Sequence, residues 1–184
     1  MDYLMLENRD LQSITDQERY YDTARIAAAA ALAVIPEQSA IWAYPRDKED
    51  LDATACNMIN ALLQRIHLAG SILTLSDDQR LLVREAIALY KSYRHEIPQA
   101  IPIYPCGLPG YETGIFASGY RYPSCSRIAV WRMDTEEDTI RIPITSREVK
   151  ILYPLSSAAV VTRGADSVTV KLPERRTAVL LEVL

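Results

Sequence analysis

The stretch with the clearest chemical promise is Leu11-Gln12-Ser13-Ile14 followed by Thr15-Asp16-Gln17-Glu18. Residues 11–14 read as a short buried strand, and an alanine-rich run with helical character follows the acids. This is the pattern of a βα junction, and α/β proteins gather catalytic groups at the carboxyl ends of parallel strands. A carboxylate at that place can donate and accept a proton, which makes Asp16 the candidate catalytic residue. The same letters also fit a capping box, with Thr15 as N-cap and Glu18 as N3. On spacing alone, Asp16 then reads most simply as an acid favoured by the helix macrodipole. The two readings are compatible, because a catalytic acid can sit in the first turn of a helix.

Other residues with chemical potential are scattered. Trp42 ends an apolar run and can offer a flat aromatic face to a ligand or simply fill a core or rim. His67 can face the same end of a neighbouring strand, although a lone histidine is more often a hydrogen-bonded structural group. Trp131 falls in a β-rich run and reads as core. The acid run Asp134-Thr135-Glu136-Glu137-Asp138 lacks the glycine and alternating ligands of a calcium loop, so a solvated hairpin turn is expected. Cys56, Cys106 and Cys125 are odd in number and share no ligand spacing. Three ordinary thiols are expected, with neither a disulfide framework nor a zinc site.

The elements that must position these residues divide the chain in two. A helix is expected over residues 19–34, rich in alanine and closed by Pro36. Ala40-Ile41-Trp42-Ala43-Tyr44 reads as a second strand, followed by a solvated loop over 46–50 and a helix over 51–64. That helix carries Ala55, Met58, Ile59, Leu62 and Leu63 on one stripe. Residues 65–70 form a third strand ending at Gly70. Ser76-Asp77-Asp78-Gln79 is a second capping-box signature, opening an amphipathic helix through Leu82, Val83, Ala86, Ile87 and Tyr90. Strand and helix thus alternate, which argues for parallel βα units.

The character changes near residues 97–98. Pro98, Pro102, Pro105 and Pro109 exclude regular helix. Beyond them come seven short β-rich runs, at 115–120, 127–131, 139–144, 149–153, 158–162, 167–172 and 177–183, separated by turn residues. Strands at that spacing suggest an antiparallel β-sandwich. The expected class is therefore α/β followed by all-β, with domains at 1–98 and 99–184.

Composition narrows the function classes. The 184 residues are 49% hydrophobic and 24% charged, which suits a globular chain and not a disordered one. A net charge of −4 supplies no basic footprint for nucleic acid. The longest low-charge run, over residues 26–36, falls short of the ~20 apolar residues a bilayer span needs. No signal peptide is read at the N-terminus, so a cytoplasmic location with no membrane partner is the expectation.

An ordered set of motifs resembles one family. Met1-Asp2-Tyr3, Leu11 to Gln17, Pro36-Glu37-Gln38 with Trp42-Ala43-Tyr44-Pro45, and Asn57-Met58-Ile59-Asn60-Ala61-Leu62-Leu63 are the first part of it. Arg65-Ile66-His67-Leu68-Ala69-Gly70, Val83-Arg84-Glu85 with Tyr90-Lys91 and Arg94, Pro105-Cys106-Gly107-Leu108-Pro109 and Ala129-Val130-Trp131-Arg132 continue it in order. Together they resemble the late barrel and C-terminal region of microbial α-galactosidases, the melibiases of glycoside hydrolase family thirty-six. The resemblance covers essentially the whole chain.

It implies the last three or so βα units of a (β/α)8 barrel, followed by a C-terminal β-sandwich. It implies a retaining mechanism on α-galactoside oligosaccharides, with two aspartates and no metal or organic cofactor. In the family the acid/base aspartate lies in a Ser/Thr-Asp-Asn/Gln motif after the sixth strand. Thr15-Asp16-Gln17 matches it, so Asp16 inherits that role, with Trp42 as a substrate-binding candidate. The nucleophile belongs to a segment this chain does not contain. Retention needs two carboxyl groups about 5–5.5 Å apart, and a full barrel takes about 250 residues. The chain is therefore expected to be inactive alone, with the missing N-terminal part of the barrel as partner and a homo-oligomer as the full-length state. A non-catalytic carbohydrate-binding or packing module is the alternative. Its aromatic platform would come from Tyr104, Tyr111, Tyr120 and Tyr122. An α-N-acetylgalactosaminidase or a raffinose-type transferase would carry the same acid/base motif.

Overall fold

The computed structural model describes residues 7–184, so the Met1-Asp2-Tyr3 motif lies outside the described residues. Its first segment alternates β1 (Gln12–Ser13), α1 (Tyr20–Ala29), β2 (Ser39–Ala43), α2 (Leu51–Leu62), β3 (Arg65–Leu68) and α3 (Asp77–Tyr93). The three strands form one sheet in the order β1-β2-β3, and both pairings are parallel. Ser13 lies opposite Ala40, and Trp42 opposite His67. The outer edges of β1 and β3 have no strand beside them among the described residues.

Two expectations about α1 need correction. The helix does not reach residue 34: it tightens into a 3-10 turn at Ala30–Leu32. Pro36 disfavours helical backbone just before it, so the chain turns there instead. Nor is Thr15 its N-cap. The cap is Arg19, whose side chain accepts nothing. Thr15 Oγ1 instead accepts the backbone N–H of Gln17 at 2.9 Å, a local turn that competes with helix. The second capping box does form: Ser76 and Gln79 exchange hydrogen bonds of 3.2 and 3.0 Å.

The expected stripe on α2 is buried, but so is every residue from Ala53 to Leu62. The helix is enclosed because α1, α3 and a β-sheet all pack on it. That sheet belongs to the second segment. It has five antiparallel strands, ordered β4 (Ile101–Ile103), β5 (Ile115–Arg121), β6 (Ser126–Arg132), β11 (Thr177–Val183) and β8 (Val149–Tyr153). A second antiparallel sheet is ordered β7 (Thr139–Ile142), β10 (Val168–Lys171), β9 (Val160–Arg163). All seven β-rich runs are strands. The one addition is β4, inside the proline-rich stretch, where an edge position tolerates Pro102.

Alternation along the central strands serves two cores. Ala117, Ile128, Val130, Val179 and Leu181 meet Ile142, Val168 and Val170 of the smaller sheet. Phe116, Tyr120, Ala129, Trp131, Ala178 and Leu180 face the helices and join Ala24, Met58, Ile59 and Leu82. Strands β5 and β6 approach so closely that a Cβ at Gly119 would lie 2.2 Å from the Arg127 carbonyl oxygen. Arg127 secures the end of α3 to the sheet. Its buried guanidinium lies 4.3 Å from the Tyr93 ring centre and 4.5 Å from that of Tyr122, and pairs with Glu96 at 2.8 Å.

The aromatic platform does not assemble as expected, because Tyr120 and Tyr122 are core residues. Tyr111, by contrast, is 84% exposed. The three cysteines are unpaired, with Cys56 and Cys125 buried and Cys106 exposed. No helix among the described residues is long and apolar enough to cross a membrane.

Candidate active site

One face of the parallel sheet packs on the helices through Ile14, Ile41, Ala43, Ile66 and Leu68. Alternation therefore turns Ser13, Trp42, Tyr44 and His67 to the opposite face. The Trp42 indole N–H donates to Ser13 Oγ at 2.7 Å, fixing the ring across β1 and β2. The Tyr44 ring stacks beside it at 5.7 Å and 16°, and the His67 ring meets it edge-on at 4.8 Å and 68°. Together they make an aromatic floor at the carboxyl ends of the strands.

Asp16 stands exposed at the rim of this floor, in the loop between β1 and α1. Its charge reaches the Tyr44 phenol, which is raised above the usual tyrosine value by burial first, then by Asp16 and Glu18. Glu18, the other acid of the loop, is occupied by Arg46 at 2.5 Å. The arrangement thus offers Asp16, a carboxylate without an ion pair among the described residues, beside an aromatic surface.

Buried amides set this geometry. Asn57 Oδ1 accepts the Tyr44 backbone N–H at 3.1 Å, and its Nδ2 donates to Glu49 at 3.2 Å. The Gln79 side-chain amide donates to the carbonyls of Arg46 and Glu49, both at 2.8 Å. Gly70 follows β3 with φ +95°, and a Cβ there would lie 2.5 Å from the Pro45 carbonyl oxygen. Ser13, Tyr44 and Asn57 lie inside the motifs of the resemblance and Gln79 inside a capping box, but none of them carried a site role in the sequence, because the groups they hold lie far away along the chain.

His67 is held neutral by its surroundings: burial lowers its pKa below the ordinary imidazole value, and Nδ1 is buried without a hydrogen-bond partner. The unfolded chain therefore binds this proton more readily, so His67 contributes stability that is fully present above the ordinary histidine value. That contribution fades as pH falls through the native value. An NMR titration of the His67 ring is expected to give a midpoint below that ordinary value. A midpoint above it would remove the neutral histidine from this floor.

Among the described residues, no three His, Cys, Asp or Glu side chains converge as a metal site. The arrangement can place a proton donor near a ring-shaped ligand lying on Trp42 and Tyr44.

No protein-family profile matches the sequence, and no curated protein matches it. Solved structures do resemble it. The galactosidase domain of an α-galactosidase–sucrose kinase, AgaSK, superposes with a TM-score of 0.63 at 14% identity, over 92% of this chain and 25% of its own. The α-galactosidase AgaB of glycoside hydrolase family thirty-six, from Geobacillus stearothermophilus, gives 0.60 at 12% identity, over 93% of this chain and 25% of its own. A debranching enzyme from Nostoc punctiforme gives 0.55 at 10% identity, over 79% and 34%. The resemblance drawn from the ordered motifs and the structural neighbours agree: the chain has the fold of part of a family thirty-six α-galactosidase and spans about a quarter of the length of those proteins.

Proposed function

We propose that this chain is the acid/base-bearing portion of a retaining α-galactosidase: the last βα units of a (β/α)8 barrel joined to a C-terminal β-sandwich. The observation that carries the reading is the position of Asp16, at the carboxyl end of a parallel strand beside the Trp42–Tyr44 stack. Asp16 protonates the departing glycosidic oxygen and later deprotonates the attacking water. Trp42 carries the apolar face of the galactosyl ring, and Ser13 keeps Trp42 in place. The nucleophile and the strands flanking β1 and β3 come from the rest of the barrel. Parallel sheets are normally covered on both faces, and the bare aromatic floor and open edges fit a sheet that other strands complete.

The test is hydrolysis of an aryl α-galactoside by the purified chain and by its Asp16→Asn variant. Neither is expected to turn over alone, and the unsubstituted chain gains activity only when the polypeptide carrying the nucleophile is supplied. Activity of the chain by itself, abolished by the substitution, would place a nucleophile within it and refute the portion reading.

A further inference from the structure

We infer that the chain holds a second, non-catalytic sugar site, in the cleft between the first turns of α1 and the strands β5 and β6. The cleft has a volume of about 250 Å³ and is lined by Tyr21, Arg25, Glu112, Asp134, Thr135 and Arg176. It does not depend on the catalytic role given to Asp16.

Arg25 is the first reason. Its guanidinium donates to the Thr113 carbonyl at 3.2 Å and has no carboxylate partner among the described residues. Its Nε is buried without any hydrogen-bond partner. A half-buried cation with idle donors is costly unless something accepts from it.

Arg176 is the second. It adopts φ 57°, a left-handed backbone rare outside glycine, and strain of this kind collects at ligand sites. The conformation sets its guanidinium 5.3 Å from the centre of the Tyr21 ring and 2.8 Å from Asp134. Hydrogen bonds from Arg176 and then Arg175 hold the Asp134 carboxyl below the usual carboxylate range, so it stays an acceptor.

The balance of groups selects the ligand class. An anion would meet Glu112 and Asp134, and a cation would meet Arg25 and Arg176. A neutral ring of hydroxyls uses both the donors and the acceptors. Aromatic rings supply the apolar contact such a ring needs: Tyr21 in the wall, and the 84% exposed Tyr111, whose ring centre lies 5.9 Å from the Arg25 guanidinium. Gly114 lets the Thr135 side chain pack directly against the backbone at the cleft floor, since a Cβ there would lie 2.6 Å from it.

The experiment is NMR titration of the full chain with raffinose and, separately, maltotriose, with inorganic phosphate as the competing probe. Saturable shifts at Tyr21, Gly114 and Thr135 are expected with at least one sugar. Arg25→Gln and Tyr111→Ala should each weaken binding by at least about tenfold, or 1.4 kcal/mol. Tyr111 is exposed, so its variant keeps the test valid if Arg25→Gln unfolds. Three results would each overturn the proposal: no saturable shift with either sugar, shifts confined to Trp42 and His67, or displacement of the sugar by phosphate.

Discussion

Asp16→Asn, in the completed enzyme, is expected to lower kcat/KM on an alkyl α-galactoside by about 10²–10⁴-fold, the usual contribution of a general acid–base group. An alkoxide is a poor leaving group and needs the proton as the bond breaks. A nitrophenolate does not, so the loss on a nitrophenyl α-galactoside should be much smaller in the glycosylation step. Small anions such as azide, which need no general base to attack, should restore turnover of the galactosyl-enzyme. Asp16 lies exposed in a loop with no ion pair, so the substitution should leave stability within about 0.5 kcal/mol. An equal loss on both substrates, without rescue by azide, would show that Asp16 acts through structure and not through its proton.

The place of Asp16 in the fold was legible from local patterns, whereas its acid/base role came from the resemblance, since spacing alone reads it as an acid favoured by the helix macrodipole. An acid following a strand and preceding a helix is a local feature, and so is the alternation of strand and helix around it. The Ser76–Gln79 capping box was readable because both partners lie within one turn. Thr15-Asp16-Gln17-Glu18 fits the same capping-box pattern, yet its hydroxyl takes the Gln17 N–H, because the chain leaves β1 several residues before α1 begins. That difference is set by where the sheet ends, and no four-residue window contains it. Trp42 was a substrate-binding candidate and His67 was placed at the same end of a neighbouring strand, but the way the floor beside Asp16 assembles was illegible for the same reason. Ser13, Trp42 and His67 come together through the β1–β2 and β2–β3 registers, across 25 or more residues of sequence each time. Tyr120 and Tyr111 look alike in sequence, but one points into a sheet buried on both faces while the other stands on a loop.

Trp131→Ala is expected to destabilise the chain by about 3–5 kcal/mol, the usual cost of emptying a large aromatic site. The ring is 1% exposed and stacks on Phe116 at 5.3 Å. Its indole N–H donates to Asn60 Oδ1 at 2.9 Å, in the last turn of α2, and Asn60 Nδ2 donates onward to the Tyr20 carbonyl at 2.8 Å. A residue of the five-stranded sheet thus holds the helix that carries the loop of Asp16. Trp131→Phe keeps most of the packing but leaves the Asn60 acceptor buried and unpaired, so it should cost about 1–3 kcal/mol. Urea unfolding followed by far-UV circular dichroism and by NMR of the β6 amides measures both. Coincident transitions are expected, because Trp131 belongs to the core that joins helices and sheet. If the β6 amides unfold well before the helical signal is lost, the two segments are energetically separate. The sheet would then not be what fixes α1 and the loop at its head.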